Sequence, residues 1–420
     1  MKSAINRMTM TDKTLYAAII FVLTYLLITV QKIPGIKLDR PAGVSIGAIL
    51  MVLAGILTLD EAYAFIDLDT LAFLLGMMIL IAYLGLSGFF GLVASWIVRV
   101  SGNTSRMLLL VVFSSGILSA LFVNDTICLL FTPIILAATK SIGVNPIPFL
   151  IAVATASNIG SAATITGNPQ NMFIGIRSEI SFLTFLAKML PVSLIGLFFN
   201  YALIRIFYRK EINRKATFSD KTDNIKLNKL LLAKSLGVLM LVFSLFTYGI
   251  PYPFAALLGA ALILLIGVIE PKLAFREVNW TLLLFFAGLF VVMGGVEKSG
   301  LSEILFEKSS SLFELDSWKG MLSISTIVLV LSNLVSNVPA VMLFAPHISS
   351  FPNPENTWLV LAMASTFAGN FTLVGSVANL IVAEIAKEGS VKMGFWEYFK
   401  LGAPLTIITI LIGVLWLLYV

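Results

Sequence analysis

The chain has 420 residues, of which 59% are hydrophobic and 12% are charged, and its formal net charge at pH 7 is +6. A soluble domain carries about 25% charged residues, so this composition indicates a polytopic membrane protein whose cations lie in loops between apolar spans, not on a nucleic-acid-binding surface. A single Cys (Cys128) and a single His (His347) exclude a disulfide framework and a Cys/His metal cluster.

Apolar stretches of about 20 residues, the length needed to cross a bilayer, follow one another along the chain. The polar N-terminus leads directly into the first of them, so we expect no cleaved signal peptide. In the first half we predict spans at 14–31, 41–59, 70–88 and 184–208. In the second half we predict spans at 230–249, 252–269, 279–297 and 401–420. Polar residues interrupt the remaining apolar regions, which lie at 105–140, 147–175, 319–350 and 357–385.

One motif recurs in these interrupted regions. Asn124 precedes Pro133 by nine residues, and Asn337 precedes Pro346 by the same spacing. A second break, rich in Gly and Asn, follows each copy, at 166–171 and 375–379. A bilayer tolerates such breaks only where the freed backbone faces protein or a water-filled cavity. Paired breaks in corresponding positions of two halves therefore point to the binding site of a transporter.

The two halves align at an offset of about 212 residues, which indicates an internal repeat. Each motif region could form one span plus a loop, or a re-entrant hairpin with the motif at its tip. Charge favours hairpins, because most of the 28 Lys and Arg residues then share the cytoplasmic side with the basic segment 205–234. Each half would then cross five times, so the halves would be inverted and both termini would lie outside.

The predicted fold is therefore an all-α polytopic membrane protein with two inverted repeats of five transmembrane helices. Each repeat contains a re-entrant hairpin (105–140 or 319–350) and a discontinuous helix (147–175 or 357–385). The repeats span 1–208 and 230–420, and a basic cytoplasmic linker at 209–229 joins them.

The breaks carry the predicted binding chemistry. Helix N-termini suit anionic oxygens, freed carbonyls suit Na⁺, and the Asn amide, being donor and acceptor, also suits a neutral hydroxyl-rich solute. The alternative is that the Asn residues only cap broken helices. The candidate substrate- or ion-binding residues are Asn124, Thr126, Thr166, Gly167, Asn168, Asn171, Ser336, Asn337, Gly375, Ser376 and Asn379.

Asp125 is the predicted proton-coupling residue. It is the acid well inside an apolar region of the first half, where a charged carboxylate is costly. Such a group can take up a proton on one side and release it on the other, although a static helix cap is the alternative. Val338 occupies the matching place in the second half, and we interpret Glu384 as interfacial. No Lys or Arg lies at a break, which favours a neutral or singly charged solute, or co-bound Na⁺.

These motifs resemble an ion-transporter superfamily over nearly the whole chain. The superfamily includes arsenite permeases, citrate permeases, divalent anion/sodium symporters and sodium/proton antiporters. Val123–Thr126 followed by Thr132-Pro133 resembles the arsenite permease motif. Ser157–Thr164 followed by 167–171 is similar to the plant silicon-efflux transporters. The dicarboxylate branch has Ser-Asn-Thr at both tips; here an acid follows Asn124, which favours proton coupling over sodium coupling.

The resemblance implies a scaffold, and a transport domain that moves elevator-fashion, usually in a homodimer. We expect a secondary active transporter of the inner or plasma membrane that exports a small inorganic oxyanion or metalloid acid as a proton antiporter. The alternatives are a sodium-coupled sulfate or dicarboxylate symporter, or a sodium/proton antiporter.

Two other classes, a membrane-embedded enzyme and a passive channel, fit less well. There is no acid pair, ligand set or nucleophile–base pair, and inverted repeats with a titratable acid suit alternating access. We expect no cofactor beyond Na⁺ or H⁺ as coupling ion. The expected partners are the lipid bilayer, an organic or inorganic anion or neutral oxyacid, and no nucleic acid; a separate ATPase subunit stays open.

Overall fold

A computed structural model describes residues 10–29, 32–33, 36–37, 39–213, 227–309 and 317–420. The described chain is helical apart from a small antiparallel ribbon of β1 (Lys32–Ile33) and β2 (Ile36–Lys37). Two predicted segments lie partly outside the described residues: the start of the first repeat (1–9) and the linker (214–226).

The helices of the first half are α1 (Met10–Thr29), α2 (Arg40–Leu53), α3 (Leu59–Phe65), α4 (Leu68–Leu86), α5 (Phe89–Ser101), α6 (Thr104–Leu121), α7 (Asn124–Ser141), α8 (Ile147–Ser161), α9 (Pro169–Arg177), α10 (Phe182–Phe207) and α11 (Arg209–Ile212). Those of the second half are α12 (Lys229–Thr247), α13 (Tyr252–Ile266), α14 (Pro271–Glu277), α15 (Trp280–Lys298), α16 (Leu301–Ser309), α17 (Trp318–Val335), α18 (Asn337–Phe344), α19 (Pro354–Ala368), α20 (Val377–Glu388) and α21 (Phe395–Tyr419). A 3₁₀ turn (Ala345–Ser350) follows α18.

The order of helices recurs between the halves. Helices α2, α4 and α5 begin at residues 40, 68 and 89, and α13, α15 and α16 begin 212 residues later, at 252, 280 and 301. The packing recurs too, because α2 lies against α15 while α4 lies against α13. Helix α7 lies against α20, and α9 likewise contacts α18. The inverted membrane orientation of the halves stays a prediction.

Seven of the described helices are long and apolar enough to cross a bilayer: α4, α6, α10, α12, α15, α17 and α21. The predicted spans 41–59 and 252–269 are shorter as helices, ending at Leu53 and Ile266. Gly55 (φ 70°) turns the chain after α2. Thr58 and Glu61 then form a capping box that starts the short helix α3. Hydropathy alone merges the two helices into one stretch because the turn between them is also apolar.

The helices form two groups. We call the first group the frame; it consists of α1, α2, α4, α12, α13 and α15, which pack against one another. The second group, the site bundle, consists of α6–α10 and α17–α21. Within it α6 and α8 come so close that a Cβ at Gly160 would overlap the Gly116 backbone. The site bundle meets the frame where α9 contacts α4 and where α18 contacts α15.

Contacts join segments that the charge pattern places on the same side. The Lys140 ammonium donates to the Gly389 carbonyl at 2.6 Å, and the backbone N–H of Asn228 donates to the Ser87 carbonyl at 3.0 Å. On the other predicted side, Lys298 pairs with Glu61. These contacts agree with the predicted sidedness of the loops.

Candidate substrate site

Four helices begin at one small cavity, which we call the central cavity. The first residues of α7, α9, α18 and α20 all line it, and α15 of the frame closes it with Leu282, Phe285 and Phe286. Its volume is about 40 Å³. The remaining lining residues are Asn124, Asp125, Pro169, Gln170, Ser336, Asn337, Val338, Ser376 and Val377.

The helix N-termini at this cavity keep free hydrogen-bond donors. A side-chain cap exists only at α9, where the Asn168 Oδ1 accepts from the Asn171 N–H at 2.9 Å. Helices α7, α18 and α20 have no side-chain cap bond. The first backbone N–H groups of a helix have no helical acceptor, and together they carry partial positive charge. The cavity therefore suits a ligand with oxygen atoms.

Two amide oxygens face this environment without a partner. Asn124 and Asn337, one from each motif, are 5% and 9% exposed, and the Oδ1 of each has no hydrogen-bond partner among the described residues. A buried acceptor without a donor costs about 1–3 kcal/mol. A ligand that brings hydroxyl donors, or a cation, removes this cost.

Asp125 lies between these two oxygens and a second cavity. Its side chain is 8% exposed, and its carboxyl group lies close to the Ala378 backbone N–H at the start of α20. It therefore contacts the opposite helix rather than capping its own. Thr126 faces only the second cavity, of about 160 Å³, which Glu277 and Asn279 also line.

The side chain of Asn158 connects the breaks, and the sequence analysis did not single it out. Its Oδ1 accepts from Asn124 at 3.0 Å and from Ser376 at 3.2 Å. Its Nδ2 donates to Asn370 at 2.9 Å and to Asn379 at 3.0 Å. All of its hydrogen-bonding capacity is thus satisfied. Its place in the segment 157–164, eight residues before the break at 166–171, was the signal that could have identified it.

Asn171 and Asn379 occupy matching positions behind the cavity wall. The Asn171 amide donates to the carbonyls of Ser161 and Thr164, at 3.1 and 3.0 Å. The Asn379 amide donates to the carbonyls of Gly369 and Thr372, at 2.7 and 3.1 Å. Each side chain thereby holds the loop of its own discontinuous helix, which is the capping alternative considered for these residues.

The predicted binding residues fall into two groups, those that line the cavity and those that lie outside its lining. Asn124, Asp125, Ser336, Asn337 and Ser376 line the cavity. Thr166 donates to the Ala120 carbonyl at 3.2 Å, and the Gly167 carbonyl accepts from the Asn124 N–H at 2.9 Å. The predicted residues outside the lining are Thr126, Thr166, Gly167, Asn168, Asn171, Gly375 and Asn379. Gln170, in the first turn of α9, is a lining residue that the sequence analysis missed.

A large vestibule of about 1020 Å³ opens beside the cavity, and Val377 lines both. Arg40 of the frame lines it together with Thr281, Glu384 and Lys387. The charge of Arg40 acts on the carboxyl group of Asp125. In the sequence Arg40 is simply one of the cations between apolar spans, and only the fold brings the start of α2 towards α7.

On the opposite side, a cavity of about 320 Å³ lies between the frame and α9, α18 and α19. It shares no lining residue with the central cavity. Here Arg177, at the end of α9, donates to the Oδ2 of Asp67 at 2.8 and 3.0 Å. The central cavity thus adjoins the vestibule, while an ion pair joins frame and site bundle on the other side.

Known proteins with similar sequences include transporters. Over 96% of this chain, the silicon efflux transporter LSI3 of Oryza sativa subsp. japonica and the putative transporter arsB of Dictyostelium discoideum are each 29% identical. The match covers 97% of the first and 92% of the second. A 46 kDa membrane protein of Mycobacterium leprae is 33% identical over 96% of this chain and 98% of its own length.

A solved structure shares the fold. The YdaH transporter of Alcanivorax borkumensis superposes with a TM-score of 0.60 and 15% identity, covering 98% of this chain and 97% of that chain. The model of the citrate transporter family CitMHS matches residues 25–368. The chain is therefore a multi-pass membrane protein that belongs to the citrate transporter family CitMHS, in the ion-transporter superfamily.

Proposed function

We propose that this transporter exchanges protons for a small oxyacid or its singly charged anion, such as arsenite or silicate. The central cavity is the observation that carries the proposal. Free helix N-termini supply donors there, the unpartnered oxygens of Asn124 and Asn337 supply acceptors, and Asp125 supplies a titratable group. A solute that presents both hydroxyl groups and oxygen lone pairs matches this mixture.

The size of the cavity favours a small solute. One water molecule needs about 10–15 Å³ measured in this way, so a cavity of about 40 Å³ has room for roughly three. A pyramidal or tetrahedral oxyacid is of that size, whereas citrate is several times larger. A tricarboxylate would also bring three negative charges to a cavity that contains Asp125 and is lined by no Lys or Arg. The relatives named for silicon and arsenic therefore guide the choice of substrate better than the family name.

Asp125 would couple the two movements. The protonated carboxyl can donate to the solute or to water, and the nearby Ala378 N–H favours the ionised carboxylate. Because Asp125 lines both the solute cavity and the second cavity, a proton can reach it without passing through the solute. Uptake of the proton on one side and its release on the other would drive solute in the opposite direction.

The test is proton flux in proteoliposomes that contain a pH-sensitive dye. Arsenite, silicate, sulfate, citrate and Na⁺ are added one at a time to the wild type and to Asp125→Asn. The matched control is Asp69→Asn, an exposed acid in the first turn of α4. We expect arsenite or silicate to evoke proton movement in the wild type and in the control, and none in Asp125→Asn. Undiminished proton movement in Asp125→Asn would contradict the role of Asp125.

Sodium coupling is the second candidate, because the unpartnered Asn124 and Asn337 oxygens are also ligands that Na⁺ accepts. It predicts uptake of labelled sulfate or succinate that needs an inward Na⁺ gradient and evokes no proton signal. Loss of that uptake in Asn337→Leu, with Asp125→Asn still active, would select sodium coupling over proton exchange.

A further inference from the structure

The Arg40 side chain is a half-buried cation that has no role in the proposed exchange so far. It begins α2 of the frame, after Asp39, whose carboxylate caps the helix by accepting from the Ala42 N–H at 2.9 Å. The Nε of Arg40 is buried and has no hydrogen-bond partner among the described residues. A guanidinium group keeps its positive charge inside proteins.

The surroundings of Asp125 contain few charges. Arg40 and the Ala378 N–H are the groups that stabilise its ionised form. Glu277 lines the second cavity, while Glu384 and Lys387 line the vestibule. Helix α8 packs against α7 without a titratable side chain, and neither Arg99 of α5 nor Arg106 of α6 lines these cavities. The nearby titratable residue on α7 itself is Cys128.

Arg40 and Asp125 belong to different groups of helices. Arg40 is fixed in the frame, and Asp125 begins α7 of the site bundle. The cavities that they line adjoin, because Ile381 lines both the vestibule and the second cavity. Any movement of the bundle along the frame therefore changes the separation of these two charges, and the energy of a charge pair falls with distance.

We propose that Arg40 is the positioning cation of the exchange: it stabilises the Asp125 carboxylate while Asp125 lies beside the vestibule, so the proton leaves on that side. This inference rests on the proposed proton coupling at Asp125. When the bundle carries Asp125 away from Arg40, the carboxylate loses its counter-charge and takes up a proton from the opposite side. The counter-charge thus assigns one side of the membrane to proton release and the other to proton uptake.

The test reads the protonation of Asp125 directly, without transport. Infrared difference spectra of the purified full-length protein, recorded from pH 4 to 9, show the C=O stretch of a buried protonated carboxyl; Asp125→Asn identifies its band. In Arg40→Gln we expect the midpoint of this band to move to higher pH by about one unit, a tenfold change in proton concentration. Arg40→Lys should restore most of the wild-type midpoint. Lys392→Gln, which removes another vestibule cation, should leave it unchanged.

The outcomes separate the two ideas. An unchanged midpoint in a folded Arg40→Gln protein, judged by its gel-filtration profile, overturns the role of Arg40 whatever the substrate is. Equal shifts of the midpoint in Arg40→Gln, Arg40→Lys and Lys392→Gln also overturn it. The midpoint would then not depend on the charge of Arg40 in particular. A shifted midpoint combined with no solute-evoked proton flux would support the Arg40–Asp125 interaction while refuting the proposed exchange.

Discussion

Breaking the ion pair between Asp67 and Arg177 should open the side of the protein that faces away from the vestibule. The Asp67 side chain is 5% exposed and that of Arg177 is 55% exposed. Asp67→Asn is a clean perturbation, because the Oδ1 that caps the Thr70 N–H at 2.9 Å is retained and only the charge on the other oxygen is removed.

The magnitude follows from the partial burial of the pair. Exposed ion pairs contribute about 0–1 kcal/mol, and removing one partner of a fully buried pair costs about 3–5 kcal/mol. With one buried and one half-exposed partner, we expect about 1–2 kcal/mol. This corresponds to a change of about 5- to 30-fold in the equilibrium between the closed arrangement, in which the ion pair is formed, and the arrangement that is open on this side.

The assay uses thiol labelling in a Cys128→Ser background. Ser302→Cys reports on the 320 Å³ cavity beside Arg177, and Thr281→Cys reports on the vestibule. In Asp67→Asn, we expect a membrane-impermeant maleimide to modify Ser302→Cys about 5- to 30-fold faster, in line with the opened population. Labelling of Thr281→Cys should slow or stay equal, since its cavity is already open.

The control and the double variant decide the interpretation. Asp69→Asn removes a neighbouring exposed acid and should leave both labelling rates unchanged. Arg177→Gln should reproduce the effect of Asp67→Asn, and the double variant should add nothing further. Equal labelling of Ser302→Cys in wild type and Asp67→Asn, or additive effects in the double variant, would refute the reasoning.

Three further predictions concern stability. Asn158→Ala should lower the free energy of unfolding by about 2–4 kcal/mol, because four hydrogen bonds with buried partners are lost; thermal unfolding in detergent measures it, with the exposed Asn103→Ala for comparison. Gly160→Ala should lower the free energy of unfolding by about 1–3 kcal/mol, because the added methyl group forces α8 away from Gly116. An unchanged melting temperature would contradict this close approach. The pKa of Glu61 is lowered to about 2 by its hydrogen bond to Lys298 and those to Thr58, so its contribution is present above the unfolded pKa and lost as pH falls through the folded one. The stability difference between wild type and Glu61→Gln should therefore stay constant from pH 7 to about 5 and shrink towards pH 2; a difference that grows on acidification would contradict this.

The sequence predicted the elements of the site better than their roles. The breaks at 124 and 337 and the Gly/Asn-rich segments were identifiable because a polar run inside an apolar stretch is a local signal. The helices that begin there meet at one cavity, and the lone acid Asp125 lies in its wall. The short helices α5 and α16 were missed because hydropathy windows of about 20 residues cannot resolve a helix of 13 or 9 residues.

Roles were harder to predict because they depend on which partner each side chain meets. Asn171 and Asn337 have the same chemistry, yet the first donates to the backbone of its own loop and the second has a free oxygen in the cavity. No property of either residue alone distinguishes them. Arg40 shows the same limit, since it interacts with a residue 85 positions later in the chain, and a charge count can only assign it to a side.

The recurring helix order has a consequence for direction. In a molecule whose halves were identical and inverted, exchange of the halves would turn one access state into the other, so the two states would have equal energy and neither would be favoured at rest. Here the matching positions differ at the acid of the central cavity and at the acid of the ion pair: Asp125 corresponds to Val338, and Asp67 corresponds to Asn279. If the halves are inverted as predicted, these unlike pairs make the two states unequal in energy. A few side chains would therefore determine which orientation the carrier favours at rest. Substitutions that make the pairs alike should bring the two orientations towards equal occupancy.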